Sequence, residues 1–190
     1  MLAQAGIAHD VVDSGIDDAL LEPGSAGPIA WVTALAYLKA RAALDQARPG
    51  DAVIGADTVC VMDGRIIGQP RDDADAAAMI VSFVDREHDV VTGVCVLQPD
   101  AGDTFRRGMR HDRARVRLGS LPAREISRHV ASGEWRGKAG GYNFTQRRAA
   151  GWPLEVEGDA ETVVGLPMRL LQAMLDAPGV DVAPLAGSRT

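Results

Sequence analysis

Apolar positions fall into step after Pro28. Ile29, Val32, Leu35, Ala36, Leu38, Ala42 and Ala43 recur at close to helical spacing, and Pro28 suits a first helical turn. The pattern predicts a helix to about Ala47, stopped by Arg48-Pro49-Gly50. It then changes to the run Val53-Ile54 and Val59-Cys60-Val61, which predicts a buried strand turned back by a hairpin at Met62-Asp63-Gly64-Arg65. Ala76, Met79, Ile80 and Phe83 form the stripe of a helix starting at Asp72 or Asp73. Residues 88–97 are a rich β stretch, where Gly93 predicts a bulge or a close backbone approach. A second strand is expected over 105–118, a short helix over 121–131 closed by Ser132-Gly133, and a strand over 152–157. A last helix runs from Met168 to about Leu175 behind Pro167. Before Pro28, Leu2, Ala3, Ala5 and Ile7 read as the end of an amphipathic helix stopped by Gly6, and residues 9–12 as a short strand. Strands alternating with helices around at least one hairpin give an α/β fold on a mixed sheet.

Within the first strand sits Asp57, among Val, Ile, Cys and Ala. Carboxylates are seldom buried unless paired, hydrogen-bonded or bound to metal. Gly55 and Ala56 leave space beside it for a ligand or a close backbone. A structural aspartate in a turn or bulge and a functional one stand equally open on this segment alone. Lys39, inside the first helix, reads locally as a solvated charge. Six arginines at 106, 107, 110, 113, 115 and 117 decorate the 105–118 strand, the last three on one face, and read as a solvated sheet face. Residues 138–146, KAGGYNFTQ, form a glycine-containing loop around one cation, suited to a tight turn or to backbone approach by a ligand.

Composition narrows the class. A chain of 190 residues with 46% apolar and 24% charged residues is ordinary for a globular domain. Residues 1–176 are expected to make one domain, with 177–190 a flexible tail. The net charge of −6 disfavours nucleic acid as a partner. No apolar run is long enough to span a bilayer and no leader pattern opens the chain, so the expected address is the cytoplasm. Cys60 and Cys95, in apolar runs, read as buried thiols, and four scattered histidines make a zinc site improbable.

Five stretches, taken in order, resemble one family: GIDD (15–18), ALAYLKARA (34–42), VIGADTVCVMDGRIIGQPRD (53–72), HDVVTGV (88–94), and ASGEWRGKAGGYNF with VVGLP (131–144, 163–167). The resemblance is to the Maf family, the septum-formation-type nucleoside triphosphate pyrophosphatases, over about residues 1–176. It implies an elongated mixed sheet with flanking helices in two lobes around a cleft, as in inosine-triphosphate pyrophosphatases. The implied reaction is hydrolysis of a modified, misplaced or pyrimidine nucleoside triphosphate to a monophosphate and pyrophosphate, with a divalent metal, Mg²⁺ or Mn²⁺. Asp57 falls on the family's catalytic aspartate, as general base and metal ligand. Asp18 falls where the family carries a glutamate and would hold metal or water on a shorter arm. Lys39 falls on a lysine that reaches the phosphates, overturning its local reading. Lys138 and the amides of Gly140 and Gly141 would border the nucleotide, and Thr58 would either help hold the Asp57 carboxylate or only fill the strand. A homodimer is a further implied partner.

Three departures accompany the resemblance. The family's opening strand and S-x-S-P-R-R phosphate segment have no counterpart here. The lysine of the family's G-K-P is Gln69, with Arg71 two places on as a partial substitute. Where dTTP/UTP-type members read Y-G-I-Q-G, this chain reads Tyr142-Asn143-Phe144-Thr145-Gln146. The alternative these departures raise is a catalytically weak nucleotide-binding regulator linked to cell division.

Overall fold

The computed structural model describes residues 1–48, 50–100, 104–176 and 182–184. Helices α1 (Pro28–Ala43), α2 (Asp73–Phe83), α3 (Ala123–Ser132), α4 (Phe144–Ala149), α5 (Ala160–Val164) and α6 (Met168–Asp176) accompany strands β1 (Val53–Met62), β2 (Arg65–Ile67), β3 (Arg86–Pro99), β4 (Thr104–Leu118), β5 (Leu154–Glu157) and β6 (Val182–Pro184). The strand order is β2-β1-β3-β4-β5, with β6 beside β4. The registers of β1 with β2, β4 with β5 and β4 with β6 are antiparallel, and a parallel contact occurs at the bridge between Val84 and Leu118. The α/β class read from the sequence is the one observed.

Two compact units divide the chain: residues 1–57, 92–112 and 166–190, and residues 58–91 and 113–165. In the first, successive residues of β3 face opposite sides, as a pleated strand requires. Cys95 and Leu97 pack with Ala36, Ala40 and Leu44 of the α1 segment and with Phe105. Val94 and Val96 pack instead with Leu171 of α6, backed by Met168 and Met174. In the second unit Phe83, Val116, Leu118, Tyr142, Phe144 and Trp152 share one core. Asp72 caps α2 by accepting from the Asp75 amide, and Gly133 closes α3 in the left-handed conformation at φ 70°. Among the described residues no helix is long and apolar enough to cross a membrane.

Several local expectations are corrected. Residues 1–6 form a hydrogen-bonded turn, not a helix end, and 9–12 is not a strand. Val11 is 91% exposed, and no described strand pairs with this segment, so it has no sheet to join. The first helix stops at Ala43 and continues as a 3₁₀ turn, Leu44–Gln46. The loop expected over 138–146 contains the start of α4, capped by Asn143, and α5 was not expected at all; both are too short to display a helical period. Within the expected tail, β6 pairs with β4; residues 177–181 and 185–190 lie outside the described set. The alternating arginines do occupy a solvated face, where Arg113 and Arg115 meet Asp89, and Arg115 also meets Glu87 and Glu157.

Candidate active site

The site begins with two glycines. A Cβ built on Gly55 would lie 2.1 Å from the Ala36 carbonyl oxygen and 2.7 Å from the Ala40 nitrogen; on Gly93 it would lie 2.5 Å from the Val32 carbonyl oxygen. Helix α1 therefore rests its backbone directly on β1 and β3, which only glycine permits. Val32, Ala36 and Ala40, spaced by four, are the contact stripe and are fully buried. The close approach anticipated at Gly93 and beside Asp57 is thus a helix backbone. Asp57 stands two residues beyond Gly55, on the same face of β1, and Lys39 sits one residue before Ala40. The consequence is a contact: Lys39 Nζ donates to Asp57 Oδ1 at 2.7 Å.

The third member comes from the acidic loop. Asp13 Oδ1 accepts from the Gly15 amide and Ser14 Oγ from the Ile16 amide, folding the GIDD segment into a turn with Gly15 at φ 65°. That delivers Asp18, the first residue of a 3₁₀ turn, to Lys39, whose Nζ donates to Asp18 Oδ2 at 2.7 Å. One ammonium joins two carboxylates separated in sequence by 39 positions. Asp57 is only 8% exposed. Burial pushes its carboxyl up to about 6, against the pull of the Lys39 hydrogen bond and charge, while the Asp18 charge adds to the rise. For Lys39, burial opposes the charge, but the two carboxylates outweigh it and hold its pKa above the ordinary lysine value.

The donor set can be tested for a divalent metal. Among the described residues no three His, Cys, Asp or Glu side chains are grouped as a ready-made metal cage. Two carboxylates are present, and Asp18 Oδ1 is buried with no hydrogen-bond partner. Mg²⁺ is commonly held by one or two carboxylates together with substrate phosphates and water, and the Asp18–Asp57 pair fits that mode.

The remaining expected residues belong to the second unit. Thr58 Oγ1 lies 3.3 Å from where a Cβ on Gly165 would stand, so it abuts the VVGLP turn. Gln69 is exposed. Arg71 is exposed too and committed to Asp75, which accepts from both its Nε and its backbone amide. Lys138 is half-buried, with its Nζ 3.5 Å from the Arg136 carbonyl oxygen. The amides of Gly140 and Gly141 are engaged within the second unit. The Gly140 amide donates to the Gly68 carbonyl at 3.0 Å and the Gly141 amide to the Lys138 carbonyl at 2.9 Å, so both are spent within the protein. Their conformations, φ 75° and 76°, and the Cys60 Sγ that a Cβ on Gly140 would meet at 2.9 Å explain the glycines. They shape the Lys138 loop. Sequence reasoning passed over His88 and His129, which bond to this same loop. The only signal was His129's place between Ile126 and Val130 on the apolar side of α3, which reads first as core.

A buried strand carboxylate tied to a helix lysine thus sits within an α/β fold. The chain belongs to the Maf family: the family described as Maf-like protein matches residues 1–177. A dTTP/UTP pyrophosphatase of Pelotomaculum thermopropionicum is 39% identical over 182 residues, covering 96% of this chain and 92% of that protein. The dTTP/UTP pyrophosphatase of Moorella thermoacetica is also 39% identical, over 96% of this chain and 90% of its own. That of Caulobacter vibrioides is 37% identical, over 88% of this chain and 83% of its own.

Proposed function

We propose that this protein is a nucleoside triphosphate pyrophosphatase acting on dTTP or UTP, releasing the monophosphate and pyrophosphate with a divalent cation, Mg²⁺ or Mn²⁺. The observation that carries the reading is the Asp18–Lys39–Asp57 constellation, at 2.7 Å on both sides of the ammonium. The names of the relatives support the substrate.

The chemistry follows from charge. A triphosphate repels a nucleophile until its oxygens are neutralised, and water must lose a proton as it attacks phosphorus. Asp57, with its pKa moved up to about 6, is a stronger base than an ordinary aspartate and is still ionised at neutral pH. It takes the proton from the water attacking between the α and β phosphates. Lys39 has three N–H donors; the carboxylates use two, and the third is left for a phosphate oxygen. Asp18 and Asp57 would hold the cation, which when bound neutralises phosphate charge. Lys138 supplies a second ammonium to the nucleotide.

The test is direct. With UTP, dTTP and a panel of other triphosphates in Mg²⁺, the protein is expected to release one pyrophosphate per monophosphate from the pyrimidine substrates. Tight nucleotide binding with no pyrophosphate would favour the regulatory reading instead.

A further inference from the structure

Two histidines of the second unit take no part in the chemistry above, yet both bond to the Lys138 loop. His129 of α3 is 2% exposed, and its Nε2 donates to the Gly141 carbonyl oxygen at 2.8 Å. A carbonyl only accepts, so Nε2 carries the hydrogen and Nδ1 faces the interior as a bare acceptor. His88 of β3 is 3% exposed and shares a 2.9 Å hydrogen bond through Nε2 with the Tyr142 hydroxyl. Its Nδ1 is likewise buried without a partner, as is that of His129. Each imidazole also packs against an aromatic ring: Phe83 lies 4.2 Å from His88, tilted by 31°, and Trp152 meets His129 edge to face at 5.1 Å.

A site that needed only volume would take leucine or phenylalanine, because each imidazole leaves a buried nitrogen unsatisfied. What the imidazoles provide, and apolar side chains would not, is one directed hydrogen bond each. Both bonds land on adjacent residues, Gly141 and Tyr142. Those residues end a stretch that is also tied by the amides of Lys138, Gly140 and Gly141 to the carbonyls of Trp135, Gly68 and Lys138 in turn. Lys138 itself stands at the start of the 3₁₀ turn, Ala139–Gly141, that these bonds hold.

We propose that His129 and His88 are positioning residues, a two-imidazole clamp that fixes the Lys138–Tyr142 loop so that the Lys138 ammonium is held ready for the phosphates. The proposal rests on the pyrophosphatase reading for what Lys138 does, and on the loop geometry alone for what the histidines do. The clamp serves binding, so its loss acts on KM for UTP and not on the proton transfer at Asp57.

The experiment compares wild type with His129→Leu, His129→Gln, Tyr142→Phe, Lys138→Ala and the His129→Leu/Lys138→Ala double variant, by UTP kinetics and by amide hydrogen exchange. His129→Leu is expected to raise KM about tenfold with kcat within twofold, and His129→Gln, which keeps a donor, to recover most of the loss. In the Lys138→Ala background His129→Leu should add less than twofold to KM, since the histidine acts through the lysine. Tyr142→Phe, which removes only the hydroxyl, should raise KM severalfold and stands in if His129→Leu does not fold. Exchange at residues 139–142 should quicken at least tenfold in His129→Leu, with β3 unchanged. Unchanged exchange at the loop, equal impairment of the Leu and Gln variants, or full additivity with Lys138→Ala would overturn the clamp. If instead exchange quickens as expected while Lys138→Ala leaves KM untouched, the clamp stands and the phosphate role of Lys138 falls.

Discussion

Gly55 and Ala36 define the closest contact on which the site depends: a methyl group on Gly55 would lie 2.1 Å from the Ala36 carbonyl oxygen. Helix α1 would have to lift from β1 to admit it, taking Lys39 away from Asp57. Gly55→Ala is therefore expected to cost on the order of 3 kcal/mol, read as a lower midpoint in urea. It should also lower kcat at least tenfold, because misplacing a catalytic group by an ångström is costly. A variant matching wild type in both would show that the close packing is not what places the lysine.

The pH dependence of kcat/KM reports the free-enzyme base. Asp57 must be ionised to accept a proton, so activity should rise with pH through an acid limb near 6 and level off above it. Lys39→Met removes the hydrogen bond and charge that pull the Asp57 pKa down, so whatever activity survives should have its limb at higher pH. Asp18→Asn removes a neighbouring negative charge and should move it lower. A limb near 4 in wild type, or shifts of the opposite sign, would contradict the assignment.

Stability carries the same carboxyl with the opposite sense. A folded-state pKa raised from 3.8 to about 6 contributes stability fully present below pH 3.8 and lost as pH rises through 6. Asp57→Asn cannot ionise, so it should gain on wild type between pH 4 and pH 6, on the order of 2 kcal/mol by pH 8. Urea melts at pH 4 and pH 8 measure it. A gain that is independent of pH would place the effect elsewhere.

Lys39 puts a positive charge against both carboxylates proposed to hold the cation. Removing the ammonium should let Asp18 and Asp57 bind Mn²⁺ alone more tightly, about tenfold in Kd by calorimetry for Lys39→Ala, since a like charge within a few ångströms is gone. Unchanged or weaker Mn²⁺ binding would separate the metal from this pair.

The elements with long, regular patterns were legible in the sequence. The α1 stripe and the runs of β1, β3 and β4 declare themselves because their buried faces repeat over many residues. The segment at 9–12 misled because a short run with β-branched residues says nothing about whether a neighbouring strand exists, and α4 and α5 were invisible because one or two turns have no period. Asp57 stood out as a carboxylate in a greasy strand. Its partners did not: Lys39 reads locally as solvent-exposed, and nothing within the helix reveals that Gly55 lets α1 sink until the ammonium meets Asp57. The family resemblance pointed to Lys39 and Asp18, and the geometry brings them together. It also pointed to the Gly140 and Gly141 amides, which donate to the Gly68 and Lys138 carbonyls. The paired glycines suited a tight turn, but did not show which carbonyls their amides would meet.

The central claim is that the Asp57 carboxylate primes water against a triphosphate. Pyrophosphate release from UTP in Mg²⁺ should be compared between wild type and Asp57→Asn, with urea melts confirming that both are folded. A loss of at least a hundredfold in kcat, with UTP binding retained, is the predicted result. A folded Asp57→Asn protein that turns over UTP at the wild-type rate would contradict it.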